Sequence, residues 1–316
     1  MYAMEKKINH LINIKDIPVK DIKKILKDAR YRKKSRKNFN TLQLDKNSPL
    51  KGKLLIQMFE KSSLRTRISF YLAIRQLGGS ALTLRPEELH FGKNEENLSD
   101  VAKIISSYAD IFMFRTNNEK KLIKFANHLS IPMINGLSPL SHPAQIISDI
   151  FTIEEIKKKP IKKLNICWIG DSNNVLNSLV EVSVKLGLNL NVVSPKKYLP
   201  KRNLINYIKN NKAKIEITDN INQGLKNADV LMTDKVISMN DKVNKKKKEK
   251  YFKKFKINKL MLKAAKKDCI VLHCLPRGKE ISDEVFYSNQ SKVWEQAKNR
   301  VHVQKSILLY CLNKLG

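Results

Sequence analysis

Cysteine is scarce in this sequence, and its spacing excludes two classes of site. The four cysteines are Cys167, Cys269, Cys274 and Cys311. Because no two of them form a Cys-x-x-Cys pair, neither a zinc site nor a disulfide framework is indicated. Three lie in apolar or amphipathic segments and are predicted to be inert core residues. Cys274 differs, because it follows a predicted strand and precedes a loop.

Long apolar runs and dinucleotide-binding glycines are also missing. No stretch approaches the roughly 18 consecutive apolar residues that cross a bilayer. The first residues, "MYAMEKKINHLINIKDI", show neither the apolar stretch nor the cleavage site of a signal peptide. The loop "WIGDSNN" (168–174) stands where a nucleotide fingerprint would, but it lacks GxGxxG. We therefore expect a cytoplasmic protein with no membrane partner, no metal and no nicotinamide or flavin cofactor.

Acidic residues are few, so the formal net charge reaches +33. Such a charge makes nucleic acid a candidate partner. The lysines are spread along the chain, however, and are dense only at 244–256. That segment is predicted to be a solvated loop and the start of a helix. We favour compositional bias and expect no nucleic-acid partner, with a nucleic-acid-binding protein kept as the rival hypothesis.

The hydrophobic pattern predicts an α/β fold in two domains. The 316 residues, 42% of them hydrophobic, suffice for two cores. Short β-branched runs alternate with longer helical periods, which is typical of parallel sheets flanked by helices. The boundary is predicted between domains 1–145 and 146–316, with a hinge near 140–160. Strands are predicted at 53–59, 81–84, 110–115, 131–135, 164–170, 190–195, 214–218, 229–233 and 269–274, and helices at 17–35, 64–77, 98–109, 118–129, 142–158, 174–186, 201–210, 221–226, 258–266 and 295–313.

The segment "FEKSSLRTRISF" (59–70) places polar and cationic residues where a strand gives way to a helix. A helix start near Ser63 presents N–H groups and a positive dipole end to an anion. Thr66 adds a hydroxyl group, and Arg65 adds a planar fork suited to phosphate. Arg65 and Arg67 must face different ways on a helix. A capped helix with surface arginines explains the segment equally well.

Five further polar clusters lie at or beyond the ends of predicted strands, where ligands bind in open α/β sheets. His142 and Gln145 share a helix face in "SPLSHPAQ" and could polarise a carbonyl and bind an amide. Each cluster also has a purely structural explanation, such as a capped sheet, turn hydrogen bonds or a packed thiol. The remaining candidates are Arg115 in "FMFRT", Asp171, Asn173 and Asn174 in "WIGDSNN", Asp234 and Ser238 in "MTDKVISMN", and Cys274 and Arg277 in "LHCLPRG".

Taken in order, these segments resemble the aspartate/ornithine transcarbamylase superfamily, and within it the ornithine carbamoyltransferases. The resemblance rests on "FEKSSLRTR", "FMFRT", "HPAQ", "GDSNN", "TDKVISM", "HCLPR" and a late "NR" at 299–300, and covers nearly the whole chain. It implies a carbamoyl-phosphate-binding domain, an ornithine-binding domain and a last helix that packs back on the first domain. It further implies a homotrimer that transfers the carbamoyl group to the δ-amine of ornithine, yielding citrulline and phosphate, in arginine biosynthesis.

The resemblance also implies roles for individual residues. His90 would reach the phosphate site of a neighbouring subunit. Catalysis would fall to Arg115, His142, Cys274 and Asp234. Carbamoyl phosphate would be bound by Ser63, Leu64, Arg65, Thr66, His90, Arg115, His142, Gln145, Cys274, Leu275 and Arg300, and ornithine by Asn174, Asp234, Ser238 and Met239.

Two positions depart from the family pattern. Leu64 replaces a threonine in the phosphate loop, and Asn240 replaces the glycine after "SM". Leucine at position 64 resembles some transcarbamylases that use N-acylated ornithine. Acetylornithine, succinylornithine and putrescine therefore remain alternative acceptors, and a catabolic role remains an alternative to a biosynthetic one.

Overall fold

The computed structural model describes residues 8–85, 96–237 and 244–316, which divide into two compact units. Unit 1 comprises residues 1–148 and 299–316, and unit 2 comprises residues 149–298. Each unit contains a parallel sheet flanked by helices, and the end of the last helix belongs to unit 1. The predicted fold class is therefore confirmed. The binding roles assigned to 1–145 and 146–316 stay predictions.

Unit 1 is built on four parallel strands in the order β2-β1-β3-β4. One face carries a core in which the rings of Phe112, Phe114 and Phe125 pack together with centroids 5.2–5.8 Å apart. The strands are β1 (Leu54–Phe59), β2 (Ser80–Leu84), β3 (Ile111–Arg115) and β4 (Met133–Leu137), and the helices are α1 (Val19–Ser35), α2 (Leu64–Gln76), α3 (Leu98–Tyr108), α4 (Glu119–His128) and the first part of α5 (Pro143–Lys157).

Unit 2 contains five parallel strands in the order β7-β6-β5-β8-β9. Buried aliphatic and aromatic side chains such as Leu231, Phe252 and Val271 form its core. The strands are β5 (Asn165–Ile169), β6 (Asn189–Val193), β7 (Ile215–Thr218), β8 (Val230–Thr233) and β9 (Ile270–His273), and the helices are α6 (Asn174–Leu186), α7 (Arg202–Asn210), α8 (Ile221–Leu225), α9 (Lys245–Phe252), α10 (Lys259–Ala264), α11 (Asp283–Phe286) and the first part of α12 (Val293–Cys311).

Both sheets reverse their strand order in the middle. In unit 1 the chain moves outward from β1 to β2 and then returns to place β3 on the other side of β1. In unit 2 the same reversal lies between β5 and β8. Ligands of open α/β sheets bind beyond the carboxyl ends of the strands at such a switch point. The topology therefore directs attention to the residues that follow β1, β3, β5 and β8.

Asparagine starts many of the helices. The side chains of Asn97, Asn118, Asn173, Asn220 and Asn258 each accept a hydrogen bond from a backbone N–H in the first turn of the helix that follows. This contact satisfies one of the amide donors that a helix start leaves open. The abundance of asparagine thus serves the fold locally, independently of any ligand.

The lysine-rich segment 244–256 is more ordered than the sequence suggested. It forms α9 and a short 3₁₀ turn over Lys253–Phe255. Lys248 is buried, with its ammonium 2.6 Å from a carboxylate oxygen of Asp171. The prediction of a solvated segment is therefore wrong at Lys248, because one lysine of the helix faces inward to an acid.

Among the helices of residues 8–85, 96–237 and 244–316, none is long and apolar enough to cross a membrane.

Candidate active site

The start of α2 is the first element of the candidate site in unit 1. Ser63 precedes the helix in extended backbone and makes no side-chain cap. Its hydroxyl oxygen instead accepts a hydrogen bond from Nη1 of Arg115, at 3.1 Å. Unlike the asparagine-capped helices, α2 therefore does not use its preceding side chain to satisfy its own first turn. That leaves its helix-end dipole suited to an anion.

Glu60 fixes the loop between β1 and α2. Its backbone N–H donates to the carbonyl oxygen of Arg115 at 3.0 Å. Its carboxylate accepts hydrogen bonds from the Thr116 hydroxyl and the Lys121 ammonium. The end of β3 and the loop after β1 are consequently held together at the switch point of the first sheet.

Arg300 joins three helices inside unit 1. Its guanidinium is buried and donates to Oε1 of Gln145 at 2.7 Å and to Oγ1 of Thr66 at 2.8 Å. Thr66 belongs to α2, Gln145 to α5 and Arg300 to α12. Since Thr66 accepts this bond, its own hydroxyl proton can be donated to a ligand. The arginine therefore fixes the orientation of two neutral groups that could bind a substrate.

His142 is a buried imidazole in a positive environment. It is 4% exposed and immediately precedes α5. Burial, followed by the charges of Arg300, Arg115 and Arg65, holds its pKa well below the ordinary value of 6.5. The ring is therefore neutral near pH 7 and can act as a hydrogen-bond donor without carrying charge.

The two arginines in the first turn of α2 differ in exposure, as their spacing predicted. Arg65 is half-buried and acts electrostatically on His142, whereas Arg67 is exposed. The prediction that the two arginines face different ways is confirmed. The side chain of Leu64 is 71% exposed, so its replacement of threonine does not disturb the core.

In unit 2 a carboxylate lies between an amide and a thiol. Asp234 follows β8 and accepts from Nδ2 of Asn173 at 2.9 Å and from the Cys274 thiol at 3.0 Å. Asn173 also accepts from the N–H groups of Val175 and Leu176 at the start of α6. The loops after β5, β8 and β9 thus meet at Asp234. Asn174, the first residue of α6, is half-buried beside them.

Asp171 and Arg277 are engaged with neighbouring side chains. Asp171 pairs with Lys248 of α9 and also accepts from the Trp168 indole through its carbonyl, at 3.2 Å. Arg277 pairs with Asp283 at 2.7 Å and lies over the Phe286 ring. Both side chains hold loops together, which agrees with the structural explanation that the sequence left open for these clusters.

Three of the four thiols are buried. Cys167, Cys269 and Cys311 lie in the core, and burial raises the pKa of Cys269 to about 12. The prediction of inert core residues is confirmed for these three. Cys274 is half-buried and contacts Asp234.

Several predicted site residues fall outside the residues that the structure describes, and the sequence analysis missed three buried residues near the site loops. His90, Ser238, Met239 and Asn240 fall outside the described residues, and Leu275 is half-buried in the turn after β9. Sequence reasoning missed Lys248, His273 and Glu280, all of which are buried beside site loops. The only signal for the last two was their presence in "HCLPRGKE". The roles given to individual residues stay predictions.

The fold and these contacts define a two-domain α/β protein in which arginines hold the residues at the start of α2 in one unit and a carboxylate joins three loops in the other. Two family models match it: the carbamoyl-phosphate-binding domain of aspartate/ornithine carbamoyltransferase at 9–155 and the aspartate/ornithine-binding domain at 162–311. The chain belongs to the aspartate/ornithine carbamoyltransferase family.

Similar proteins of known name agree with this assignment. Ornithine carbamoyltransferase of Methanococcus vannielii is 42% identical over 311 residues, which is 96% of this chain and 98% of that protein. The structure of ornithine carbamoyltransferase from Pyrococcus furiosus matches with a TM-score of 0.89 at 35% identity, over 98% of each chain. That of anabolic ornithine carbamoyltransferase from Campylobacter jejuni matches with a TM-score of 0.87 at 34% identity, over 97% of this chain and all of that one.

The Lys248–Asp171 pair is expected to stabilise the loop after β5. Substituting Lys248→Met leaves Asp171 in a partly buried place without its ammonium, which should lower the free energy of unfolding by roughly 3 kcal/mol. Denaturant unfolding of the full chain measures this loss. The double variant Lys248→Met/Asp171→Leu should recover part of it, because no charge is then stranded.

A matched control uses an exposed lysine of the same unit. Lys259 pairs with Glu284 at 2.7 Å on the surface, with side chains 62% and 58% exposed. Lys259→Met should leave the unfolding midpoint unchanged, because exposed pairs contribute little. Equal effects of Lys259→Met and Lys248→Met would contradict the role given to the buried pair.

Proposed function

We propose that this chain transfers the carbamoyl group of carbamoyl phosphate to the δ-amine of L-ornithine, releasing L-citrulline and phosphate. The observation that carries the proposal is the set of contacts at the start of α2, where Arg115 donates to Ser63 and Arg300 donates to Thr66 and Gln145. The names of the similar proteins and the two matching family models support the same activity.

Carbamoyl phosphate fits the chemistry of unit 1. Its phosphate requires positive charge and hydrogen-bond donors, which Arg65, the Ser63 hydroxyl and the start of α2 supply. Its carbamoyl nitrogen donates hydrogen bonds, and Oε1 of Gln145 is an amide acceptor that Arg300 holds in place. We assign the phosphate to the α2 side of the pocket and the carbamoyl group to the side of Gln145 and His142.

Ornithine fits the chemistry of unit 2. Its α-ammonium requires a carboxylate, and Asp234 supplies one that is already oriented by Asn173 and Cys274. Asn174 and the "SM" pair at 238–239 complete the proposed set. The retained Asp234 favours free ornithine over its acylated forms, whose blocked amine would not carry the charge.

The reaction needs a neutral amine and a stabilised oxyanion. The deprotonated δ-amine attacks the carbamoyl carbon, negative charge develops on the carbonyl oxygen, and the bond to the phosphate oxygen breaks. Donors from Arg115, His142 and Thr66 are proposed to stabilise that oxygen, as prearranged dipoles do in other acyl-transfer sites. Holding both substrates together also removes much of the entropic barrier.

The pathway, the oligomeric state and the cellular location are part of the same proposal. We assign the chain to arginine biosynthesis, because it is similar to the anabolic ornithine carbamoyltransferase of Campylobacter jejuni. We propose a homotrimer in which His90 reaches a neighbouring phosphate site, and a cytoplasmic location. Sedimentation of the purified chain tests the trimer directly.

An acceptor panel tests the reaction. Purified chain is given carbamoyl phosphate with ornithine, acetylornithine, succinylornithine, putrescine or aspartate, and the carbamoylated product is quantified. We expect a preference for ornithine, and Arg65→Ala should lower kcat/KM at least about 100-fold, as the loss of a charged transition-state contact does.

The matched control is Arg67→Ala, which removes the same charge from the exposed face of the same helix and should leave kcat/KM within about twofold. Preference for an acylated amine would overturn the substrate and keep the reaction class. Silence with every acceptor, together with salt-dependent RNA or DNA binding, would favour the nucleic-acid hypothesis.

The rate is expected to rise with pH. Burial, together with Arg300, Arg115 and Arg65, holds the pKa of His142 well below 6.5, so this imidazole is not expected to produce a rise in rate above neutral pH. The δ-amine of ornithine must lose its proton before attack, so kcat/KM for ornithine should increase between pH 6 and 9. A pH series at saturating carbamoyl phosphate measures this, and a flat profile would contradict the proposed nucleophile.

A further inference from the structure

The turn after β9 is held by a buried imidazole. His273 ends β9 and is 1% exposed. Its Nδ1 accepts a hydrogen bond from the backbone N–H of Leu275 at 2.9 Å, and its Nε2 lies 2.8 Å from Oε1 of Glu280. Because Nδ1 is an acceptor, the ring proton must be on Nε2, which donates to Glu280.

Glu280 is suited to keep that proton in place. It is 6% exposed, and the same Oε1 also accepts from the Gly278 N–H. Burial raises the pKa of Glu280, but the hydrogen bonds from His273 and Gly278 outweigh burial and bring the pKa below its ordinary value. The group is therefore a carboxylate at neutral pH, an acceptor toward both neighbours.

The backbone of His273 is fixed as well. Its N–H donates to Oε1 of Gln296 at 3.0 Å, and Nε2 of Gln296 donates to Oδ1 of Asp149 at 2.8 Å. All of these groups are buried members of unit 2. The imidazole thus has little freedom to rotate or to change its tautomer.

The turn that His273 holds is not one that leucine prefers. Leu275 has a positive φ of 55°. A left-handed backbone is costly for a residue with a branched side chain, so it persists only where surrounding contacts determine it. The bond from the Leu275 N–H to His273 is one such contact. Directly before it in the chain, the Cys274 thiol lies 3.0 Å from Asp234.

We propose that His273 and Glu280 are positioning residues that hold the Cys274–Leu275 turn so that the Cys274 thiol engages Asp234. The effect of this pair on turnover rests on the proposed carbamoyl transfer, whereas its effect on the turn does not. The pair acts through the turn and need not touch either substrate.

Thiol reactivity reports the turn without any assay of activity. All four cysteines lie in the described part of the chain, and only Cys274 is not buried. A thiol held on a carboxylate forms the reactive thiolate reluctantly. Wild-type chain treated with a disulfide reagent should therefore show one slowly reacting thiol, absent in Cys274→Ser.

The decisive comparison is Glu280→Leu against Glu280→Gln. Leucine removes the acceptor, so the Cys274 reaction should accelerate about tenfold, the size of one lost hydrogen bond. Both hydrogen bonds to Glu280 use Oε1, which glutamine retains, so Glu280→Gln should react within about twofold of wild type. Glu284→Gln makes the same change four residues away, in an exposed pair with Lys259, and should also match wild type.

A second readout uses the wild-type protein and does not depend on folding of the leucine variant. Nitrogen-15 spectra of labelled histidine should show His273 as a neutral ring protonated at Nε2 at pH 7. A proton on Nδ1, an imidazolium, a Glu280→Leu thiol that reacts like wild type, or a Glu280→Gln thiol that reacts like Glu280→Leu would each overturn the proposal. Failure of the proposed function would appear differently, as no citrulline from wild type with these spectra and rates unaltered.

Discussion

The buried fork of Arg300 is the contact on which the rest of the unit 1 site depends. One guanidinium donates to Thr66 of α2 and to Gln145 of α5 from its own position on α12. These residues are 234 and 155 positions away in sequence. A planar guanidinium holds two acceptors in a fixed geometry, whereas the ammonium group of a lysine rotates freely. The charge of Arg300 adds to the effect of burial in lowering the pKa of His142, so this arginine influences both the geometry and the electrostatics of the site.

The two units carry different chemical groups at the same topological position of their sheets. In unit 1 the residues after β1 and β3 gather cations and hydroxyl groups, which suit a phosphate. In unit 2 the residues after β5 and β8 gather an amide and a carboxylate, which suit an amine. Each set lies at the strand-order reversal of its sheet, where diverging connections leave space beyond the strand ends. The fold supplies the location, and the side chains supply the specificity.

Sequence reasoning succeeded where the signal was local. Apolar periodicity predicted strands such as β3 and helices such as α6, and Gly78, with a φ of 91°, follows the end of α2 as expected of a helix stop. The resemblance indicated Arg115, His142 and Arg300 as candidate site residues. It did not indicate that Arg300 would hold Thr66 and Gln145.

The buried polar residues that the sequence analysis did not identify were missed for a common physical reason. Lys248 pairs with Asp171, 77 positions away, and nothing in a run of lysines distinguishes the one that faces inward. His273 and Glu280 are only seven positions apart, but a loop separates them and loops have no period. Polar contacts that depend on three-dimensional placement cannot be predicted from hydrophobic spacing.

The most direct test of the central claim is the binding of carbamoyl phosphate alone. Calorimetric titration without an acceptor should show one saturable site per chain. Arg115→Gln should weaken binding by about 10- to 100-fold, as expected for a lost charged hydrogen bond. Absence of binding to the wild-type chain, or equal affinity in Arg115→Gln, would contradict the assignment of the arginine pocket to this substrate.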